Sequence, residues 1–236
     1  MSKYLPLESN PDMLTEFIRK LGVLSPTRFV DIWSFDDETI ELFPQPMLAV
    51  CVLYPSDVVD RERAKEFEAQ RRFYPSDGSK CLYIKQRMEE HGNACGTIAV
   101  LHAICNNVSR IAFAPNSPLL TFAQQLKGLD SEAAADVLSK ATDLHSVTSQ
   151  VAATGQTETP GVDDEVNYHF IAFIRSDDGH LLEMDGGKKG PVDHGTCPDE
   201  LFFRKCINII RDDMMKRDPS SLQFSALGLT TAPEDD

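Results

Sequence analysis

Apolar residues along the chain change their period several times, and each change predicts an element. Leu14, Phe17, Ile18 and Leu21 recur at helical spacing after Ser9-Asn10-Pro11 and stop at Gly22, which predicts a helix over 11–21. Phe29 to Trp33 and the unbroken run Met47 to Tyr54 predict strands, the second buried on both faces. The charged, weakly periodic stretch 56–80 predicts a short surface helix around Arg61 to Arg72 and then a loop, with no visible chemistry. A short strand is expected at Leu82 to Lys85, followed by helices from Ala94 to Cys105 and near 118–127 and 131–143. From His145 to Asn167 the pattern dissolves into Ser, Thr, Gly155, Pro160 and acidic residues. A loop of that length inside a compact domain is uncommon, and its place just before His169 favours a functional role. Tyr168 to Ile174 is a strand apolar on both faces, Asp178-Gly179 a hairpin signal, and His180 to Met184 the returning strand. A helix near Pro198 to Arg217 and a strand from Leu222 to Leu229 complete the pattern, which contains no internal repeat.

This continuous mixture, without a linker, implies one domain over residues 1–230 and a polar tail at 231–236. No apolar run approaches ~18 residues and no signal-peptide pattern opens the chain, so a soluble, intracellular protein is expected, cytoplasmic with nuclear access left open; a monomer is expected besides. Six cysteines at 51, 81, 95, 105, 197 and 206 show no metal-ligand spacing, so no metal is expected, and no other cofactor is expected either. The net charge of -14 opposes nucleic acid and anionic membranes and suits a basic protein partner, although solubility alone would also explain it.

Chemistry concentrates at Asn93-Ala94-Cys95-Gly96-Thr97. If Asn93 caps the apolar helix, Cys95 falls in its first turn, where the dipole and unpaired N–H groups favour thiolate and offer donors to an oxyanion. A buried structural cysteine is the competing explanation. Among the histidines, His102 lies seven residues along the same helix, about 10 Å away, too far for proton transfer, and suits a core role. His169 sits in an apolar strand, where a polar residue needs a reason. A two-residue turn would set it opposite Lys188 and a four-residue loop opposite Gly186; either brings Asp185 close enough to orient an imidazole.

Gln86, Asn93-Ala94-Cys95-Gly96-Thr97-Ile98, His102-Ala103-Ile104, Gly155-Gln156-Thr157-Glu158, His169-Phe170-Ile171-Ala172 and Glu183-Met184-Asp185-Gly186 together resemble the ubiquitin carboxyl-terminal hydrolase family of cysteine peptidases. The resemblance runs from Leu5-Pro6-Leu7 to Leu222-Gln223-Phe224 and matches the short, single-domain members. It implies an α+β fold with a papain-like core, a central antiparallel sheet flanked by helices, and a knotted backbone. It further implies a deubiquitinating thiol hydrolase that cleaves small or unfolded adducts from the C-terminal glycine of ubiquitin through a thioester; a ubiquitin-like modifier as partner stays open. Carried over by motif, Cys95 is the nucleophile, His169 the general base and then acid, Asp185 its orienting partner, and Gln86 an oxyanion donor. Residues near 146–166 would arch over the site. Leu5, Pro6, Leu7 and Asp31 become candidate ubiquitin contacts, although Leu5 and Leu7 would serve equally as packing.

One departure touches the site. The family usually places three residues between the glutamine and the asparagine, and here Arg87-Met88-Glu89-Glu90-His91-Gly92 makes six. Strict register would put Glu89, an anion, where an oxyanion donor belongs, so Gln86 with the extra residues bulging outward is preferred. His91 is then expected in an exposed loop. The irregular spacing also motivates a second function, a ubiquitin-binding or sequestering protein with weak turnover, whose binding would survive Cys95→Ala.

Overall fold

The computed structural model describes residues 3–56, 72–155, 167–218 and 223–233, together with residues 59, 61, 63, 65, 66 and 69. Six antiparallel strands form its centre: β1 (Arg28–Asp31), β2 (Met47–Pro55), β3 (Tyr168–Arg175), β4 (His180–Met184), β5 (Val192–Thr196) and β6 (Ser225–Thr230). Their order is β1-β6-β2-β3-β4-β5. The continuous apolar runs take the middle, as strands covered on both faces must. Cys51, Phe170, Ala172 and Ile174 join one core, while Val50, Val52, Ile171 and Phe173 join the other.

The first core is covered by α1 (Pro11–Lys20), α3 (Cys95–Cys105), α4 (Pro118–Leu126), α5 (Ser131–Lys140) and α6 (Thr142–Ala152); a single turn, α2 (Met88–His91), precedes α3. On the opposite face α7 (Phe202–Ile209) closes the second core. The fold is thus α+β, an antiparallel sheet flanked by helices. The start of α1 follows local rules, since Asn10 accepts the N–H groups of Asp12 and Met13 ahead of Pro11.

Several expectations are corrected. The loop expected from His145 begins instead inside α6, where Leu144, Thr148, Val151 and Ala152 form a buried stripe and Thr148 satisfies its hydroxyl on Leu144 O at 2.9 Å. Residues 156–166, the rest of the expected arch, lie outside the described residues. Leu82 to Lys85 joins no strand ladder. Side chains at the end of α3 meet its backbone instead: Asn106 Oδ1, at the C-cap, accepts the Leu82 N–H at 2.7 Å and His102 Nε2 accepts the Ile84 N–H at 2.9 Å. The expected helix near 198–217 is split into a 3-10 turn, α7 and a π-helical stretch, Ile210–Met215. β5 was not anticipated. Finally, Ser56, Val59, Arg61, Arg63, Lys65, Glu66 and Ala69 are helical, yet Val59 and Arg63 are buried, so this is no simple surface helix.

Candidate active site

Cys95 is the first residue of α3, whose residues from Gly96 to Cys105 are all buried. Ala94, and not Asn93, stands at the N-cap, and no side chain caps the helix there. The expected asparagine cap is therefore displaced by one position, but its consequence remains: first-turn N–H groups have no intrahelical acceptor and point toward the thiol end. Of the six cysteines, all described, Cys95 is half-buried and the other five are buried. A Cβ on Gly96 would lie 3.2 Å from both Leu7 and Phe170, so glycine lets the helix start press against the N-terminal arm and β3.

His169 arrives from β3, where it pairs with Tyr54 of β2 and meets the Tyr54 ring edge-on at 5.9 Å. The β3–β4 register pairs Ala172 with Met184 and Arg175 with Leu181, and the loop between them is Asp177-Asp178-Gly179, with Gly179 at φ +86. That three-residue connection extrapolates to His169 opposite Gly187, between the two registers expected from sequence. β4 ends at Met184, leaving the flank of β3 open beyond Ala172, and the start of α3 packs against β3 there, a Cβ on Gly96 falling 3.2 Å from the Phe170 ring. Asp185 leaves β4 there, 2 % exposed, and its Oδ1 accepts from His169 Nε2 at 2.7 Å and from the Gly187 N–H at 2.9 Å. The nitrogen left for the thiol is Nδ1. The Tyr83 hydroxyl donates to Asp185 O and Lys85 Nζ donates to Lys188 O, so the turn bearing Asp185 is tied to the segment leading into Gln86.

Charge follows this geometry. Burial pushes the Cys95 thiol up, but hydrogen bonding and charge from His169, with backbone hydrogen bonds from Phe170 and Gly96, bring it below its ordinary value. Burial pushes the His169 imidazole down, yet Asp185 and Cys95 together hold it well above its ordinary value. Asp185 is depressed despite burial, chiefly by the charge and hydrogen bond of His169. Burial alone drives Cys51 and Cys105 to about 12. His102 is buried and held down to about 4 by desolvation, stacked on Tyr83 at 5.3 Å, a core role that braces the same segment.

Gln86 is half-buried beside this centre, and a Cβ on Gly186 would lie 3.2 Å from its own Cβ. The added residues form α2, with Met88, Glu89 and Glu90 exposed and His91 and Gly92 buried, so the expected outward bulge holds for only part of the insertion. His91, by contrast, is fully buried and not the exposed loop histidine expected, because both ring nitrogens find partners inside the fold. Among the candidate contacts, Leu7 is buried, Leu5 and Pro6 are half-buried with Leu5 packed on the first core, and Asp31 is exposed.

Sequence reasoning missed a second ionic centre. Arg63, 1 % exposed, pairs with both oxygens of Glu183, with Nη1 to Oε1 at 2.9 Å, and its Nε lies 3.3 Å from Asp213. His194 Nε2 is 3.0 Å from Glu183 Oε2. The signal was a glutamate inside the apolar run Leu181-Leu182-Glu183-Met184, the same anomaly that singled out His169.

Residues 4–215 match the family described as ubiquitin carboxyl-terminal hydrolase, family 1. The chain is 33% identical over 227 residues to ubiquitin carboxyl-terminal hydrolase isozyme L1 of Equus caballus, covering 96% of this chain and 98% of the relative. It is 31% identical over 235 residues to a ubiquitin carboxyl-terminal hydrolase of Drosophila melanogaster, covering 99% and 100%. Among solved structures, the UCH37 catalytic domain of Trichinella spiralis, bound to ubiquitin vinyl methyl ester, superposes with a TM-score of 0.74 at 18% identity, covering 100% of this chain and 97% of that one. Fold and site define a cysteine hydrolase. The chain belongs to family 1 of the ubiquitin carboxyl-terminal hydrolases.

Proposed function

We propose that this enzyme cleaves the amide, ester or thioester bond at the C-terminal glycine of ubiquitin with Cys95 as nucleophile, His169 as base and acid, Asp185 as the residue that orients His169, and Gln86 as oxyanion donor. The carrying observation is a thiol at the start of a buried helix, lowered below its ordinary value by the His169 imidazole, whose Nε2 is held at 2.7 Å by a buried carboxylate. The Cys95 thiolate attacks the glycine carbonyl carbon, and the resulting oxyanion is met by the Cys95 backbone N–H and the Gln86 amide. His169 delivers its Nδ1 proton to the leaving atom as the tetrahedral adduct collapses to a thioester. It then takes a proton from water, which attacks the thioester and frees the glycine carboxylate and Cys95. Asp185 keeps the ring in one orientation and stabilises its charged form throughout.

The acidic surface supports a basic ubiquitin tail as the approaching group, and the solved relative is itself bound to a ubiquitin derivative. Ubiquitin is the partner favoured over a ubiquitin-like modifier, with small or unfolded adducts as leaving groups, acting as a monomer in the cytoplasm. The test is release of a fluorophore from the C-terminus of ubiquitin under reducing conditions. Release that vanishes in Cys95→Ala is expected; residual turnover in that variant, or none in the wild type, overturns the assignment. Equal rates with a ubiquitin-like modifier would broaden the substrate class.

A further inference from the structure

Gln86 is fixed from two sides. Its backbone N–H donates to Gly186 O at 2.9 Å, one residue beyond Asp185, and its side-chain Nε2 donates to Gly92 O at 2.9 Å, three residues before Cys95. A carbonyl oxygen only accepts, so that contact settles which end of the amide faces Gly92. The second amide proton is directed at the exposed Met88 thioether, with Nε2 3.2 Å from Sδ, a weak acceptor that a developing oxyanion would displace. Gly92 stands at φ +60 and ψ -136, and a Cβ there would lie 2.8 Å from Lys3 Cβ. Only glycine takes this conformation easily.

The turn that ends at Gly92 is pinned by His91. Its Nδ1 accepts the Arg87 backbone N–H at 3.1 Å, closing α2 on itself, and its Nε2 meets Ser139 Oγ of α5 at 2.9 Å. An accepting Nδ1 requires the neutral tautomer with its proton on Nε2, donated to Ser139. The His91 carbonyl in turn accepts the Tyr4 N–H at 2.9 Å. Arg87 fastens the same turn to α5 through Asp136 at 2.6 Å and Glu132 at 3.0 Å. The bulge is thus a docked element with one output toward the site, the Gly92 carbonyl.

We infer that His91 is a positioning residue for the oxyanion donor: by pinning α2 to α5 it sets the Gly92 carbonyl against Gln86 and fixes the amide orientation from which Gln86 meets the tetrahedral intermediate. The inference rests on the role proposed for Gln86 above. Its physical content is preorganisation, because a donor already aimed costs no reorganisation when charge develops. A solvent-facing bulge with no such role would leave Gln86 free to choose among rotamers. A lost anchor therefore shows in kcat, not in substrate binding.

The test uses ubiquitin carrying a C-terminal fluorophore and the variants His91→Phe, which keeps an aromatic ring without either nitrogen, and His91→Asn, whose Oδ1 can replace Nδ1 as acceptor. His91→Phe is expected to lower kcat between about tenfold and about 10²-fold, with KM and the rate of Cys95 alkylation by iodoacetamide unchanged. His91→Asn should recover most of that loss, and His91→Phe should add nothing to Gln86→Ala, which alone lowers kcat by about 10² to 10³. Wild-type kcat in folded His91→Phe, an equal further loss in the Gln86→Ala background, or slowed alkylation overturns the inference. If His91→Phe does not fold, Ser139→Ala removes the Nε2 partner; a smaller kcat loss that vanishes in the Gln86→Ala background supports the inference, and an unchanged kcat overturns it. Wild-type protein that released no fluorophore would instead defeat the proposed function. Gln86→Ala with undiminished kcat would remove the oxyanion assignment and this inference together while leaving the thiol chemistry standing.

Discussion

Glu183 and Asp185 are two buried carboxylates at the end of β4, each bonded to a histidine Nε2: His194 at 3.0 Å and His169 at 2.7 Å. Their third partners differ. Glu183 also binds Arg63, itself paired with Asp213, so its charge is neutralised within a closed cluster under the second core. Asp185 has Lys188 at 3.6 Å and no arginine among its described partners, and the histidine it holds faces a thiol at the mouth of α3. A buried histidine–carboxylate pair occurs twice at the end of this strand, so the pair alone does not carry the proposed catalytic role. The group beyond the histidine, and a place where a substrate can reach it, make the difference.

That contrast can be broken from either side. Asp185→Asn has the largest expected effect, a fall in kcat of about 10³ to 10⁴, since the imidazole loses both its orientation and the anion that stabilises its charge. Without that anion His169 titrates lower and Cys95 higher, so the midpoint of the pH profile for iodoacetamide alkylation should move up; an unmoved midpoint would show that Asp185 does not sustain the ion pair. Glu183→Gln should leave kcat per folded molecule unchanged and lower stability by about 3–5 kcal/mol, because Arg63 then keeps only part of its buried compensation. Denaturant unfolding with kinetics on the folded fraction reads both, and a lost kcat would merge the two clusters into one functional unit.

The smallest effect is in the acid limb of stability. Burial would raise Glu183, but the Arg63 charge and the His194 hydrogen bond bring it from 4.5 down to about 2. A depressed carboxylate contributes stability that is full above its unfolded pKa and is lost as pH falls toward the folded one. Wild-type stability should thus decline from about pH 5 toward about pH 2, and Glu183→Gln should show a shallower decline in chemical denaturation across that window. Asp185 contributes in the same direction, so the flattening is partial. An unaltered slope would assign the acid sensitivity elsewhere.

Legibility along the chain followed the source of the stabilising contacts. Continuous apolar runs identified β2 and β3, and the apolar segment after Ala94 identified α3, because burial on all sides leaves a compositional trace. α6 was obscured because its buried stripe includes a threonine that bonds its own helix. Leu82 to Lys85 reads as a strand because Leu82, Tyr83 and Ile84 are apolar and buried, but the Leu82 and Ile84 N–H groups are met by the side chains of Asn106 and His102, which no local pattern encodes. Arg63 resembled any surface arginine until Glu183 was brought to it from 120 residues away.

The sequence by itself singled out the residues proposed to carry the chemistry: a cysteine at the start of an apolar helix, a histidine in an apolar strand and an aspartate just past the hairpin, each conspicuous against its neighbours. Tertiary structure alone decided their register, the displacement of the helix cap to Ala94, and the burial of His91 within an insertion that reads as a polar loop. The physical reason is that periodicity reports the burial of a segment's own face, whereas the state of a polar side chain depends on which donors and acceptors distant parts of the chain bring within hydrogen-bond reach.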